Sequence, residues 1–331
     1  FSHEFLHQWN VKRLRPRCFL EYDLDAEVHT DLLWWFEGLT SWLGDVLCWR
    51  CGAWSDEDWL ADMERKLNRH HSGNGCHHQS LADSSHEAWI HLYRPHPHMR
   101  ESQISYYLEG ELAVFCADAE MRRRSGRSGL EQLFAELFSR HGLHSESPGI
   151  DEVELKLALG KCPGGARLGR YLNQLIHHRS RPPMAKAAKT FGLKLSEDTK
   201  TSAGDGDAAG TGGDAAGTGD DGDNIGWLGV KLAERGDTLV ISKVEASSPL
   251  RDLIIPNDEL VALDGIRVRS RKSLKAALKG KADTVVKVTL ARHDIIMEIS
   301  TTAGTTPKHS ATLTGAGNRL WKELISPQSP K

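Results

Sequence analysis

Two imidazoles and a carboxylate stand within five residues of one another in "FSHEFLHQWNVKRLRP", the first sixteen residues of the chain. On an α-helix, positions i and i+4 lie on one face, so His3 and His7 can direct two ring nitrogens at one point, with Glu4 beside it. Neutral imidazole is a ready ligand of Zn²⁺, and a catalytic zinc takes three protein ligands while one position stays open to water. A glutamate next to such a pair can take a proton from water that the ion activates. These residue types therefore point to hydrolysis assisted by one zinc ion per chain. The bland alternative is a solvated histidine pair at a chain end, since short motifs also arise by chance.

The deciding residue is a third ligand, and "DLLWWFEGLTSWLGDVL" offers Glu37. Leu33, Trp34, Trp35, Phe36 and Leu39 surround it in sequence. An ionised carboxylate in that setting should be paired with a cation or bound to a metal. A solvated helix face, or an ion pair with an arginine of "VKRLRPR", is the alternative. Gly38 signals close packing, because a glycine inside a helix costs about 1 kcal/mol relative to alanine and usually has a contact reason.

Taken in order, "HEFLHQWNVKRLRP", "LLWWFEGLTSW" and "SQISYYLEGEL" resemble the glycyl aminopeptidase family of thermolysin-like gluzincins, whose members commonly end in a PDZ domain. "SLADSSHEAWIHLYRP" is similar to the family's segment between the second and third blocks, so the likeness spans roughly residues 1–195. The resemblance implies zinc on His3, His7 and Glu37, with Glu4 as general base. It also implies an aminopeptidase that favours small N-terminal residues such as glycine or alanine. A further implied part is a tyrosine that donates to the oxyanion, and "YYLEG" offers Tyr106 and Tyr107. Related aminopeptidases carry it three residues before a glycine, which selects Tyr107 ahead of Gly110. A single positioned donor of this kind is worth about 3 kcal/mol where charge develops. Core packing of the Tyr-Tyr pair is the alternative.

Relatives place a β-rich domain ahead of the zinc helix, so the chain is expected to be an N-terminally truncated member. His3 would then sit in a first helical turn whose N–H groups lack partners, and zinc affinity should suffer.

Length and composition allow more than one unit: 331 residues, 39% hydrophobic, net charge −3. No apolar run approaches the roughly 18 residues of a membrane span. Six cysteines do not make a disulfide scaffold in a chain this long, and "CWRC" at Cys48 to Cys51 reads as structural. "MRRRSGRSG" reads as a solvated helix end, not a nucleic-acid patch, because no aromatic platform accompanies it. Eight histidines in residues 70–98 read as exposed loop residues.

The fold class expected is α+β: a mainly helical, thermolysin-like catalytic half over residues 1–195, then a small PDZ-like β-domain with one long helix over 225–302. Between them, residues 196–224 hold eight acids and one lysine and read as a disordered Gly/Ala/Asp linker. Residues 303–331 read as a tail with a short helix. Short strands are expected at "WLGVKLA", "TLVISKV", "DELVALDG", "VVKVTLARH" and "IIMEIST", and a helix at "SRKSLKAALKG". "SSPLRDLIIPNDELVALDGIRV" resembles a PDZ segment, with Asn257 where glycine is usual. Its carboxylate loop would be Trp227, Leu228, Gly229 and Val230, which would receive a C-terminal peptide that adds a strand. Two functional classes follow. One is a zinc metallopeptidase acting on peptide or protein substrates; the other is a non-catalytic PDZ scaffold with an inert helical half.

Overall fold

The computed structural model describes residues 1–21, 23–94, 102–202, 224–245 and 247–326. The chain divides into two compact units: residues 1–96, 102–197 and 311–331 form the first, and 97–101 with 198–310 the second.

The first unit is helical, as the 3.6-residue periodicity predicts. Its elements are α1 (Ser2–Leu6), α2 (Leu33–Arg50), α3 (Asp56–His71), α4 (Leu81–His86), α5 (Ala88–His91), α6 (Leu108–Ser125), α7 (Leu130–His141), α8 (Glu152–Lys161), α9 (Gly165–His177) and α10 (Met184–Thr190). Capping boxes start α3, α4 and α8, at Ser55 with Asp58, Ser80 with Asp83 and Asp151 with Glu154. Each cap satisfies N–H groups that no helix can satisfy internally and contributes about 1 kcal/mol.

Helices α2 and α6 form the centre. A helix apolar on all sides must be enclosed, and Trp34, Trp35, Phe36, Leu39 and Trp42 are all inaccessible, as is nearly every residue of α6 up to Arg122. The two helices cross at glycines. A Cβ on Gly38 would lie 2.4 Å from the carbonyl carbon of Gly110, and one on Gly110 would lie 2.8 Å from the Trp34 carbonyl oxygen. Ionisable groups enclosed by this packing are paired. Arg122 bonds Asp118 at 2.8 Å and Glu131 at 2.5 Å. Lys66 bonds Asp45 and Glu111 at 2.5 Å and Asp62 at 2.7 Å. The arginine cluster is thus not a wholly solvated helix end: Arg122 is buried, and Arg123 and Arg124 both bind Glu120.

The second unit is an antiparallel sheet in the order β2 (Val230–Arg235), β3 (Thr238–Val244), β4 (Glu259–Leu263), β6 (Thr284–Arg292), β7 (Ile295–Ala303), with β5 (Ile266–Arg267) on β4. Its helix α11 (Arg271–Leu278) starts at a Ser270 cap and is eight residues long, shorter than the long helix expected. The inward residues of alternate strand positions, among them Leu239, Ile241, Leu260, Val286, Val288 and Leu290, form the core with Leu274 and Leu278 of the helix. Asn257 has φ +76°, a left-handed conformation that asparagine tolerates better than most residues, so it can stand in for glycine there. Asp264 and Gly265 both have positive φ, as the tight turn between β4 and β5 requires.

Three features differ from the sequence expectation. Lys194–Ser202 is a strand, β1, paired with β8 (Thr306–Thr314), so the first seven residues of the expected linker are not linker; residues 203–223 lie outside the described residues. Of the stretch 303–331, the described residues up to 326 carry the short helix expected there but do not form a free tail. Ala311 and Leu313 are buried in the helical core, and α12 (Arg319–Ile325) inserts Trp321 against Trp49 and Trp59, with ring centroids 4.4 and 4.7 Å away. Finally, His70 and His71 are not loop histidines: they close α3, and buried His70 bonds Glu109 at 2.7 Å.

Candidate metal centre

Helix α1 is only five residues long, and no side chain caps its N-terminus. Such a segment cannot hold helical shape alone, so its geometry must come from tertiary contacts. Two anchors pin it antiparallel across α2. At one end the Ser2 hydroxyl donates to the Gly44 carbonyl at 2.9 Å, and a Cβ on Gly44 would approach the His3 nitrogen to 3.2 Å. At the other, buried Asn10 donates from Nδ2 to the Phe36 carbonyl at 3.1 Å and to Thr40 Oγ1 at 2.9 Å. Between these anchors, His3 and His7 face Glu37 and Ser41, themselves one turn apart on α2.

The three expected ligands converge. His3 Nε2 lies 3.1 Å from Glu37 Oε2, His7 Nε2 lies 3.4 Å from the same oxygen, and the two Nε2 atoms are 3.0 Å apart. Among the described residues this is the one group of three or more His, Cys or carboxylate ligands whose atoms all fall within 4.8 Å of one another. Zinc bonds of about 2.0–2.1 Å at tetrahedral angles would separate ligand atoms by about 3.3 Å, so the donor set fits that ion. The proton positions agree. His7 Nδ1 lies 3.0 Å from the Asn10 carbonyl oxygen, which can only accept, so Nδ1 carries a proton and the neutral form of His7 turns its Nε2 lone pair toward the centre. Two lone pairs and a carboxylate at these distances need a cation or a shared proton between them. Ser41 Oγ holds the outer nitrogen of His3 at 3.1 Å. Such outer partners fix ring orientation in metal sites.

The electrostatics follow from burial against pairing. Burial alone would raise the Glu37 carboxyl, but hydrogen bonds with His3 and His7 and the charge on those rings hold it below the usual range. The hydrogen bond to Glu37 raises the His7 imidazole, against the opposing effect of burial. Glu4 is exposed, and its negative charge acts on His7 and on Tyr107.

Tyr107 lies at the N-terminus of α6, its ring centroid 6.3 Å from that of His3. The Gly38–Gly110 crossing brings it there, since Gly110 follows Tyr107 by one turn and Gly38 adjoins Glu37. Burial, and then the Glu37 charge, push its hydroxyl up to about 12, so it stays a proton donor at neutral pH. Tyr106 stacks on Tyr107 at 4.8 Å, is fully buried, and sets its hydroxyl 3.4 Å from that of Tyr93. Its placement is that of a packing residue behind Tyr107. Cys51 donates to the Cys48 carbonyl at the end of α2, and all six cysteines are free.

Residues 1–113 match the family of M61 glycyl aminopeptidases, and residues 226–302 match the PDZ domain family. The chain thus joins a segment similar to M61 glycyl aminopeptidases to a segment similar to PDZ domains. A crystal structure of an aminopeptidase N family protein from Idiomarina loihiensis superposes with a TM-score of 0.78 at 24% identity, over 98% of this chain and 54% of that one. The chain thus spans about half the length of that protein, with which it shares its α+β fold. An HtrA-type protease with a decapeptide aligns over 25% of this chain and 30% of its own, at 14% identity and a TM-score of 0.24. No curated protein matches the chain.

In the PDZ domain, the expected carboxylate loop is partly engaged already. Trp227 exchanges both backbone hydrogen bonds with Gly304, at 2.8 and 2.9 Å, which removes its N–H from the receiving set. The Leu228 and Gly229 carbonyls accept from Ser248 Oγ and the Glu245 N–H, which orients the loop. Gly229 has φ +67° and its Cβ would strike Ser248 at 2.5 Å, so glycine is required. Sequence reasoning also missed the supports of this centre: Asn10, Ser41, Thr40 and Gly44.

Proposed function

We propose that the chain is the zinc-binding part of a metallopeptidase that acts as an aminopeptidase on small N-terminal residues such as glycine or alanine. The observation that carries this reading is the convergence of His3 Nε2, His7 Nε2 and Glu37 Oε2 within 3.4 Å. These three would hold the ion, which when bound polarises a peptide carbonyl and makes water a nucleophile at neutral pH. The chain's own residues do the rest. Asn10 and Ser41 keep the two imidazoles in orientation. Glu4, exposed to solvent on the face of α1 beside the histidines, takes the proton of the attacking water and returns it to the leaving amine. Tyr107, held protonated, donates a hydrogen bond to the oxygen on which negative charge develops. The helices α2 and α6 exclude bulk water from one side of the site.

The test is zinc content together with hydrolysis of glycyl and alanyl substrates. Glu4→Gln should keep about one zinc per chain and lower kcat by about 10²–10⁴-fold, the usual range for loss of a general base. His3→Ala should lose the metal. If Glu4→Gln cleaves at the wild-type rate, Glu4 is not the base. A second reading concerns the PDZ domain. Its β2 is the edge strand of the sheet, and we assign to that edge the binding of a carboxyl-terminal peptide. A chain that holds no zinc and cleaves nothing, yet binds such peptides, would be a scaffold.

A further inference from the structure

Strand β2 ends in a two-residue turn, with Arg235 opposite Thr238 and Ala233 opposite Val240. In an antiparallel pair, residues alternate between those bonded to the partner strand and those whose N–H and C=O point away. Arg235 and Ala233 face β3, so Leu232 and Glu234 turn their backbone groups to the open edge. A ligand strand would add at that edge. It is not empty. The Arg271 guanidinium, from the first residue of α11, donates through Nη2 to the Leu232 carbonyl at 2.6 Å, and the Arg271 backbone N–H donates to Glu234 Oε1 at 2.8 Å. A guanidinium satisfied by a neutral carbonyl has not found its strongest partner, because carboxylates bind it about twice as tightly and often through two bonds. The surroundings are basic. Residues 269–282 contain no acid, and exposed Lys231, Lys272 and Lys275 have no ionic partner among the described residues. Lys275 follows Arg271 by one helical turn on the same face.

We propose that Arg271 is a latch across the open edge of β2, and that the peptides which open it carry an acidic side chain near their free carboxyl end. The ligand's backbone N–H replaces Arg271 on the Leu232 carbonyl, and its side-chain carboxylate receives the released guanidinium. Neutral peptides must break the same bond without that compensation. This inference rests on the peptide-binding reading of the PDZ domain given above.

The experiment measures binding of labelled hexapeptides to the full chain by fluorescence anisotropy, with glutamate or glutamine at each of the three positions before a free carboxyl terminus. Wild type should favour the best glutamate peptide over its glutamine twin by about tenfold. In Arg271→Ala the glutamine peptide should bind more tightly than to wild type, and the preference should shrink to about twofold, the remainder due to the lysines. The Arg271 side chain is exposed, so an unchanged melting temperature of the second unit verifies folding. An undiminished glutamate preference in the variant overturns the acidic selectivity, and weaker binding of the glutamine peptide overturns the latch. If neither protein binds any peptide, free or amidated, the peptide-binding reading itself fails.

Discussion

Replacing Gly38 by alanine should separate two functions proposed for the first unit: holding the ion and placing Tyr107. The added methyl would sit 2.4 Å from the carbonyl carbon of Gly110, 2.7 Å from its oxygen and 2.8 Å from the Glu111 nitrogen. All three are backbone atoms of α6 and cannot rotate away. Carbon contacts settle near 3.5–4.0 Å, so α2 and α6 must part by about 1.1–1.6 Å. Overpacking of this sort costs about 1–3 kcal/mol, offset by about 1 kcal/mol of improved helix propensity. A net loss of up to about 2 kcal/mol lowers the melting temperature of a unit this size by up to about 4–8 °C. The proposed ligands His3 and Glu37 lie on α1 and α2 and His7 directly follows α1, whereas Tyr107 caps the N-terminus of α6. Zinc should therefore stay at one per chain while kcat falls about 10²-fold, the consequence of a displacement near 1 Å. Thermal unfolding, metal analysis and steady-state kinetics on the same preparation read all three. Gly169→Ala is the control: nothing lies within 4 Å of its Cβ, so it should be neutral or stabilise by up to about 1 kcal/mol. Wild-type activity and stability in Gly38→Ala would refute the close-crossing argument, and loss of zinc would refute the division of labour.

Glu111 should impose a pH dependence on the first unit. Burial pushes its carboxyl up to about 8 despite the opposing charge of Lys66, so between about pH 4.5 and 8 the folded chain holds a proton that the unfolded chain has released. Stability from this group is present below the unfolded pKa and is lost as pH rises through the folded one. Glu111→Gln should flatten that decline in melting temperature between pH 5 and 8, and an unaltered slope would show that the proton is elsewhere. Trp321→Ala removes a ring packed on Trp49, Trp59 and Phe191, with centroids 4.4, 4.7 and 5.7 Å away. It should cost about 3–5 kcal/mol in urea unfolding of the first unit. A loss below about 1 kcal/mol would mean that α12 is not part of that core.

The centre itself was legible because its chemistry is local. His3 and His7 are spaced by one helical turn, and Glu37 stands out as a carboxylate inside an apolar block. Gly38 announced the close crossing, since a glycine there has no other use. Strands of the second unit were legible from their period of two and the turn residues between them. What stayed hidden depends on partners distant in sequence. Residues 196–202 open the acid-rich segment 196–224 and read as linker with it, because the pairing of Lys194–Ser202 with Thr306–Thr314 involves backbone groups that composition does not encode. His70 looked like one histidine of many, and its burial depends on Glu109, thirty-nine residues onward. Trp321 sits in a short segment at the far end of the sequence, with no periodic stretch long enough to show that it returns to the helical core. Trp227 fitted the loop pattern, yet its N–H is bound to Gly304 across the domain.

The most direct measurement is a zinc-edge anomalous map from crystals of the chain grown with zinc. One peak should lie about 2.0–2.2 Å from His3 Nε2, His7 Nε2 and a Glu37 carboxylate oxygen together. A map without a peak there, or with Glu37 turned to an arginine and away from both imidazoles, would contradict the central claim.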